Sequence, residues 1–304
     1  MQNKLNQLIE NAGRVVLGKE SQIRLALVCI LARGHLLIED IPGVGKTTLS
    51  HTLARLLGRQ FQRIQFTSDL LPADILGANV FDANKHCFEF HPGPIFNEVI
   101  LADEINRSPP KAQSALLEAM EERQVTVDGV THVLPECFFV IATQNPNQQV
   151  GTFPLPESQL DRFLMKIELG YPDRHAERTL LKSQDRHLLL AALPAWLSSE
   201  ELRQAQSMVS KVHSSEALLD YVQSILDFSR TSSDYPLGLS PRAGLALLNA
   251  AKALAFLEGR DSVLPEHIQS VLPAVAGHRL RNFESANNAS ALVVAPILEQ
   301  VPIP

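Results

Sequence analysis

The chain has 304 residues, 45% hydrophobic and 20% charged, a balance that buries a sizeable core and excludes disordered, collagen-like and coiled-coil readings. Its 27 Lys and Arg stand against 33 Asp and Glu, a formal net charge of −6, which argues against a phosphate backbone or an anionic membrane as the main partner. Cys29, Cys87 and Cys137 are far apart and odd in number, so neither a disulfide framework nor a zinc site is indicated, and a reducing, cytoplasmic setting is expected.

The stretch Met1–Glu10 is polar and lacks the apolar segment of a signal peptide. The most apolar run, Leu25–Ile38, carries Arg33, Gly34 and His35 and is too short to span a bilayer, so no membrane insertion is expected. Five strand-like runs follow: His35–Glu39, Phe61–Phe66, Val99–Asp103, Phe138–Thr143 and Leu164–Leu169. The first, third and fourth have continuous apolar centres, as strands buried on both faces of a parallel sheet do. Helical patterns alternate with them. One covers 45–57, with Leu49, Leu53, Leu56 and Leu57 on one face and Gly58 as its stop; another covers 108–122, with Ser108 at the cap and Pro109 in the first turn. This alternation predicts a doubly wound α/β sheet.

Two hairpins are expected as additions to that sheet. Residues 124–133 alternate Val125, Val127, Val130 and Val133 around Asp128-Gly129, a type I′ turn signal, and residues 81–90 alternate more weakly around Asp82–His86. From Asp173 onward strands disappear and helical patterns recur over about 174–190, 199–213, 215–230, 240–258 and 265–275. The expected division is therefore a nucleotide-binding α/β core over 1–172 and an all-helical domain over 173–304.

The chemistry begins after the first strand, in Glu39-Asp40-Ile41-Pro42-Gly43-Val44-Gly45-Lys46-Thr47-Thr48. A strand, a glycine-containing turn, Gly-Lys-Thr and a helix form a phosphate-binding loop. Backbone N–H groups around Gly43 and Gly45 can point at phosphate oxygens, with the helix N-terminus adding positive potential. Lys46 would reach the β/γ-phosphates of ATP and Thr47 would ligate Mg²⁺. The strict pattern places a glycine where this chain has Asp40; a carboxylate there must turn away from the nucleotide. Next, Val99-Ile100-Leu101-Ala102-Asp103-Glu104 delivers paired acids at a strand end. Asp103 would hold Mg²⁺, directly or through water, and Glu104 would polarise the attacking water. Asn145, after the strand Phe138–Thr143, offers a neutral group that hydrogen-bonds at both ends and could orient that water; as a bare loop Asn before Pro146 it would be a turn former.

The order of phosphate loop, Asp103-Glu104, Asn145, Asp161-Arg162-Phe163 and Ser240-Pro241-Arg242 resembles an AAA+ ATPase. The runs Phe88-Glu89-Phe90-His91-Pro92-Gly93-Pro94-Ile95-Phe96, Leu101–Arg107 and Gln113–Met120 narrow the resemblance to the MoxR family, over roughly residues 5 to 290. The resemblance implies an α/β core with a five-stranded parallel sheet and a C-terminal helical lid, the two hairpins being insertions of this clade. It gives Asn145 the sensor-1 role, Arg162 that of an arginine finger acting on a neighbour's nucleotide, and Arg242 that of sensor 2, and it places Val15, Val16 and Gly18 around adenine. An arginine finger acting in trans requires a homo-oligomeric ring, usually a hexamer. A cation at Arg242, in the first turn of a helix, also opposes the macrodipole and calls for a compensating anion.

The function expected from the resemblance is a Mg²⁺-dependent ATPase that acts as a chaperone in remodelling, maturation or metal-cofactor insertion of a protein client. Such clients often bear a von Willebrand A domain, for which this chain has no room. A magnesium chelatase subunit is the near alternative. A nucleic-acid motor is disfavoured by hairpin tips that offer only Lys85 and His86, without the bases and stacking aromatics a strand-tracking loop needs. A small-molecule kinase is disfavoured by Glu104, Arg162 and the helical second domain.

Overall fold

The computed structural model describes residues 1–145, 151–182, 186–280 and 290–304. In chain order the core comprises α1 (Gln2–Val15), α2 (Glu20–Leu31), β1 (Leu36–Glu39), α3 (Lys46–Leu56), β2 (Phe61–Gln65), α4 (Pro72–Leu76), β3 (Gly77–Asp82), β4 (Cys87–Pro92), β5 (Val99–Asp103), α5 (Pro110–Glu122), β6 (Gln124–Val127), β7 (Val130–Val133), β8 (Phe139–Gln144), α6 (Glu157–Leu160) and β9 (Met165–Ile167). The helices α7 (Arg174–Lys182), α8 (Arg186–Ala192), α9 (Ser199–Ser210), α10 (Glu216–Thr231), α11 (Pro241–Leu257), α12 (Pro265–Ala276) and α13 (Ser290–Gln300) follow.

Five strands form a parallel sheet in the order β2-β5-β8-β1-β9. Both faces are covered, which is why β5 and β8 are buried along their whole length and read as unbroken apolar runs. The two-residue period persists beneath that run. Leu36 and Ile38 face one core, with α1, α2 and α3, whereas Leu37 faces the other, with α5. The first core runs without a break from the sheet into the later helices, taking in Leu202, Ile225, Leu247, Leu272 and Val293.

The second and third sheets are antiparallel hairpins. β6 and β7 turn through Asp128 and Gly129 at φ 49° and 81°, the two positive angles a type I′ turn requires. The hairpin expected over 81–90 is longer, because pairing continues from Phe81↔Phe88 out to Gly77↔Pro92. The two hairpins lean on each other through Phe90, stacked on His132 with ring centroids 3.9 Å apart, and through Asn79 Nδ2, which donates to Asp128 Oδ2 at 2.8 Å.

Three differences from the sequence reading have plain causes. α1 is polar on average, yet Leu5, Leu8, Ile9, Ala12 and Val15 share its buried face. α2 is so apolar that it reads as a featureless run, because its last six residues are all buried. Ser108 does not cap α5; its hydroxyl donates to the Ile105 carbonyl at 3.2 Å, and Pro109 stands at the cap position instead. Within the stretch expected as one helix over 174–190, residues 183–185 lie outside the described residues. Among the described residues no helix is long and apolar enough to cross a membrane.

Candidate active site

Sheet order brings the C-terminal ends of β1, β8 and β5 side by side, the place where open α/β sheets bind ligands. Register aligns Gln65 with Asp103 and, one residue further along the sheet, Glu39 with Gln144. From β1 the chain enters the loop 40–45 and then α3, whose N-terminal cap is Gly45. Gly43 and Gly45 take φ of 86° and 97°, and a Cβ built on either meets nothing within 4 Å. The loop therefore needs glycine for its backbone and leaves open space over it. The amides of Gly43, Val44 and Gly45 donate to no described backbone acceptor, so they are free for a ligand above the helix N-terminus. Val44 anchors the loop by packing against the core, while Pro42 is exposed and Thr47 and Thr48 are half-buried.

Lys46 is buried, yet its ammonium rests on two neutral oxygens, the Asp40 carbonyl at 2.6 Å and Asn145 Oδ1 at 3.0 Å. Burial pushes its pKa down, opposed by the charges of Asp40, Asp103, Glu104 and Glu39. An incoming phosphate would favour the charged form. The Asp40 carboxylate is engaged elsewhere than at Lys46: Oδ2 accepts from the amides of Leu169 and Gly170, both at 2.6 Å.

Asp103 and Glu104 stand where β5 ends. Asp103 Oδ1 accepts from the Thr143 hydroxyl at 2.6 Å, and Oδ2 accepts from Arg63 at 2.5 Å. Glu104 has φ 58°, a left-handed conformation that a residue with a side chain adopts at a cost of about 1–3 kcal/mol. Its amide donates to Thr143 Oγ1 at 2.9 Å, so one hydroxyl fixes both acids. The Glu104 carboxylate accepts from Asn145 Nδ2 at 3.1 Å and from Gln65 Nε2 at 2.9 Å. Asn145 is thus used at both ends, Oδ1 toward Lys46 and Nδ2 toward Glu104. Asn106 Nδ2 in turn donates to the Asn145 carbonyl at 3.1 Å.

These residues fit a nucleotide with Mg²⁺. The glycine cradle is open, a buried lysine lacks a carboxylate on its ammonium, and Thr47 with Asp103 offers the hard oxygen donors Mg²⁺ takes, a few of them supplementing phosphate. Among the described residues no group of three or more His, Cys, Asp or Glu could form an all-protein metal cage.

Arg162 and Arg242 come together elsewhere, on a single carboxylate. Glu121, at the end of α5, pairs with Arg162 Nη2 at 3.1 Å and Arg242 Nη1 at 2.7 Å. The anion that Arg242 calls for at the start of α11 is therefore Glu121 within this chain. Asp161 pairs with Arg279 at 2.6 Å and accepts from the Ser240 hydroxyl at 3.3 Å, which docks the start of α11 on the Arg162 turn. Val15 and Val16 are buried in the main core, and Gly18 sits against Asp173 and Ala176 at the start of α7.

Sequence reasoning missed Arg63, Gln65, Thr143 and Glu121. For Arg63 and Gln65 the available signal was two polar residues two apart in a strand, one face of β2; for Thr143, a hydroxyl inside an apolar strand.

The profile of the ATPase family associated with various cellular activities (AAA) matches residues 35–165, and that of the AAA lid domain matches residues 228–297. The uncharacterized protein YeaC of Bacillus subtilis (strain 168) is 45% identical over 276 residues, covering 91% of this chain and 86% of YeaC. Chaperone MoxR1 of Mycobacterium tuberculosis is 40% identical over 285 residues, covering 91% of this chain and 75% of its own. A crystal structure of a candidate ATPase from Cytophaga hutchinsonii superposes with a TM-score of 0.89 at 38% identity, covering 100% of this chain and 96% of the other.

Proposed function

The chain belongs to the MoxR family of AAA+ ATPases, and from that premise we propose that it is a Mg²⁺-dependent, ring-forming ATPase that remodels or matures a protein client. Hydrolysis of ATP to ADP and phosphate is the family's activity. The observation that carries the residue assignment is the unbroken relay Lys46–Asn145–Glu104, which joins the phosphate loop to the acid at the end of β5 through one side-chain amide.

In this reading Gly43, Val44 and Gly45 present amides to the phosphates and Lys46 leaves the Asp40 carbonyl for a phosphate oxygen. Mg²⁺, when bound, supplies charge neutralisation at the phosphates. Thr47 and Asp103 would hold it, Asp103 directly or through water, beside the Arg63 guanidinium that now donates to Asp103 Oδ2. Glu104, oriented by its left-handed backbone and by Asn145, takes the proton of the attacking water. Val15, Val16 and Gly18 wall the base. Arg162 and Arg242, gathered on Glu121, are the pair that meets a neighbour's nucleotide, which makes a homo-oligomeric ring, a hexamer, the working form. We place this ring in the cytoplasm.

The name of MoxR1 supports a protein client, and a partner bearing a von Willebrand A domain follows from the family resemblance. The hairpins point the same way. Phe81, Phe88, Val130 and Val133 are exposed on them, and Lys85 is tied to Asp82 and Glu89, so the surface is apolar and its base neutralised. The test is Mg²⁺-ATPase activity per subunit, with native mass, as protein concentration rises through the micromolar range. Specific activity that climbs together with a rising native mass is expected. A monomer that hydrolyses ATP at a constant rate per subunit throughout would overturn the ring reading.

A further inference from the structure

Asp40 stands where the phosphate-loop pattern places glycine, and its carboxylate does a task that glycine has no atoms for. Oδ2 accepts from the amides of both Leu169 and Gly170 at 2.6 Å, and Oδ1 accepts from Ile41 N at 2.7 Å. Bonds from amides to an ionised carboxylate are about twice as strong as neutral ones. Leu169 and Gly170 lie between the end of β9 and the start of α7, on the crossing from the sheet to the helical region. The same crossing is gripped from the start of α2, where the cap residue Lys19 donates through Nζ to the Tyr171 carbonyl at 2.8 Å and Gln22, in the first turn, through Nε2 to the Glu168 carbonyl at 3.3 Å. Gly170 turns through φ 64° there.

The other side of Asp40 faces the lysine. Its carbonyl accepts from Lys46 Nζ at 2.6 Å, and its amide donates to the Gln144 carbonyl at 3.2 Å. One residue is therefore bonded through its backbone to the phosphate-sensing ammonium and through its side chain to the crossing. We propose that Asp40 is a positioning residue that latches the phosphate loop to the Leu169–Gly170 crossing, so that phosphate occupancy at Lys46 is felt where the sheet hands over to the helical region. The coupling rests on the reading of Lys46 as the phosphate ligand; the latch itself does not. A phosphate that draws the ammonium off the Asp40 carbonyl changes the loop at the residue that holds the crossing, and the two amides follow.

The test is hydrogen exchange at the Leu169 and Gly170 amides in the full chain, alone and with saturating Mg-ADP, for the wild type, Asp40→Asn and Asp40→Gly. Without nucleotide, both variants should exchange these amides at least tenfold faster than the wild type. Rates within twofold of the wild type would overturn the latch. With Mg-ADP, the wild-type rates should change at least threefold and those of Asp40→Asn less than 1.5-fold, while calorimetry shows ADP bound. A bound wild type with no change at these amides, or an Asp40→Asn variant that keeps the full change, would overturn the coupling. Asp40→Asn preserves size and carries the comparison should Asp40→Gly fail to fold. ADP affinity of Lys46→Ala equal to that of the wild type would instead remove the phosphate reading, and the comparison without nucleotide would still decide the latch.

Discussion

Glu104 owes its position to backbone rather than to its side chain's own preferences. A left-handed residue with a Cβ is costly, and the Thr143 hydroxyl that accepts its amide also donates to Asp103. The carboxylate is then held by Asn145 and Gln65. Glu104→Gln keeps the shape and removes the base, so ATP binding should persist while turnover falls by about 10²-fold or more, read by nucleotide titration and steady-state ATPase assays. Turnover equal to the wild type would remove Glu104 from the chemistry. Arg63 would compete with the proposed Mg²⁺, because its guanidinium donates to Asp103 Oδ2. Arg63→Ala should lower the Mg²⁺ concentration for half-maximal ATPase activity by threefold or more. A requirement that rises would show that Arg63 aids metal binding instead.

Among the elements, His35 ties three together. Its Nδ1 accepts from the Val140 amide at 3.0 Å, so Nε2 carries the proton and donates to the Met120 carbonyl at 3.3 Å, joining the start of β1 to β8 and the end of α5. Burial first, then the charge of Arg123, lowers its pKa from 6.5 to about 4. The unfolded chain binds the proton first as pH falls. Stability from this neutral imidazole is therefore whole above pH 6.5 and lost from there down to about pH 4. Between those values one proton contributes a slope of about 1.4 kcal/mol per pH unit. Urea unfolding at several pH values should show that slope reduced by about one proton in His35→Gln. An unchanged slope would assign the acid sensitivity to other groups, among them the buried His278, whose pKa is also lowered by burial.

The legibility of the elements follows the same divide between local and distant causes. The five core strands, α3 and the turn at Asp128-Gly129 were readable because each is dictated by residues adjacent in the chain. The glycine-dependent turn between β1 and α3 was readable for the same reason. Arg63 and Gln65 became site residues only because β2 pairs with β5 across 38 residues, from Gln65 to Asp103. Glu121 was unreadable because α11 returns to α5 from 121 positions away. The helix α13 escaped notice because Pro296 interrupts its pattern, although Val293, Val294 and Ile297 complete the core.

In the whole molecule, the proposed site residues fall into two separate bonded groups. The loop, Asp103, Glu104 and Asn145 form one bonded cluster, while Arg162 and Arg242 are collected on Glu121 and braced by Asp161, Ser240 and Arg279. The proposed ring requires that these two groups meet between subunits. It is tested most directly by mixing Lys46→Ala subunits, which keep the arginines and lose the proposed phosphate ligand, with Arg162→Ala subunits, which do the reverse. Each variant alone should retain less than about one-tenth of wild-type ATPase activity. Mixtures should recover activity well above the sum of their parts, with a maximum at intermediate ratios. Activity that never exceeds the sum of the two variants at any ratio would contradict a site completed in trans.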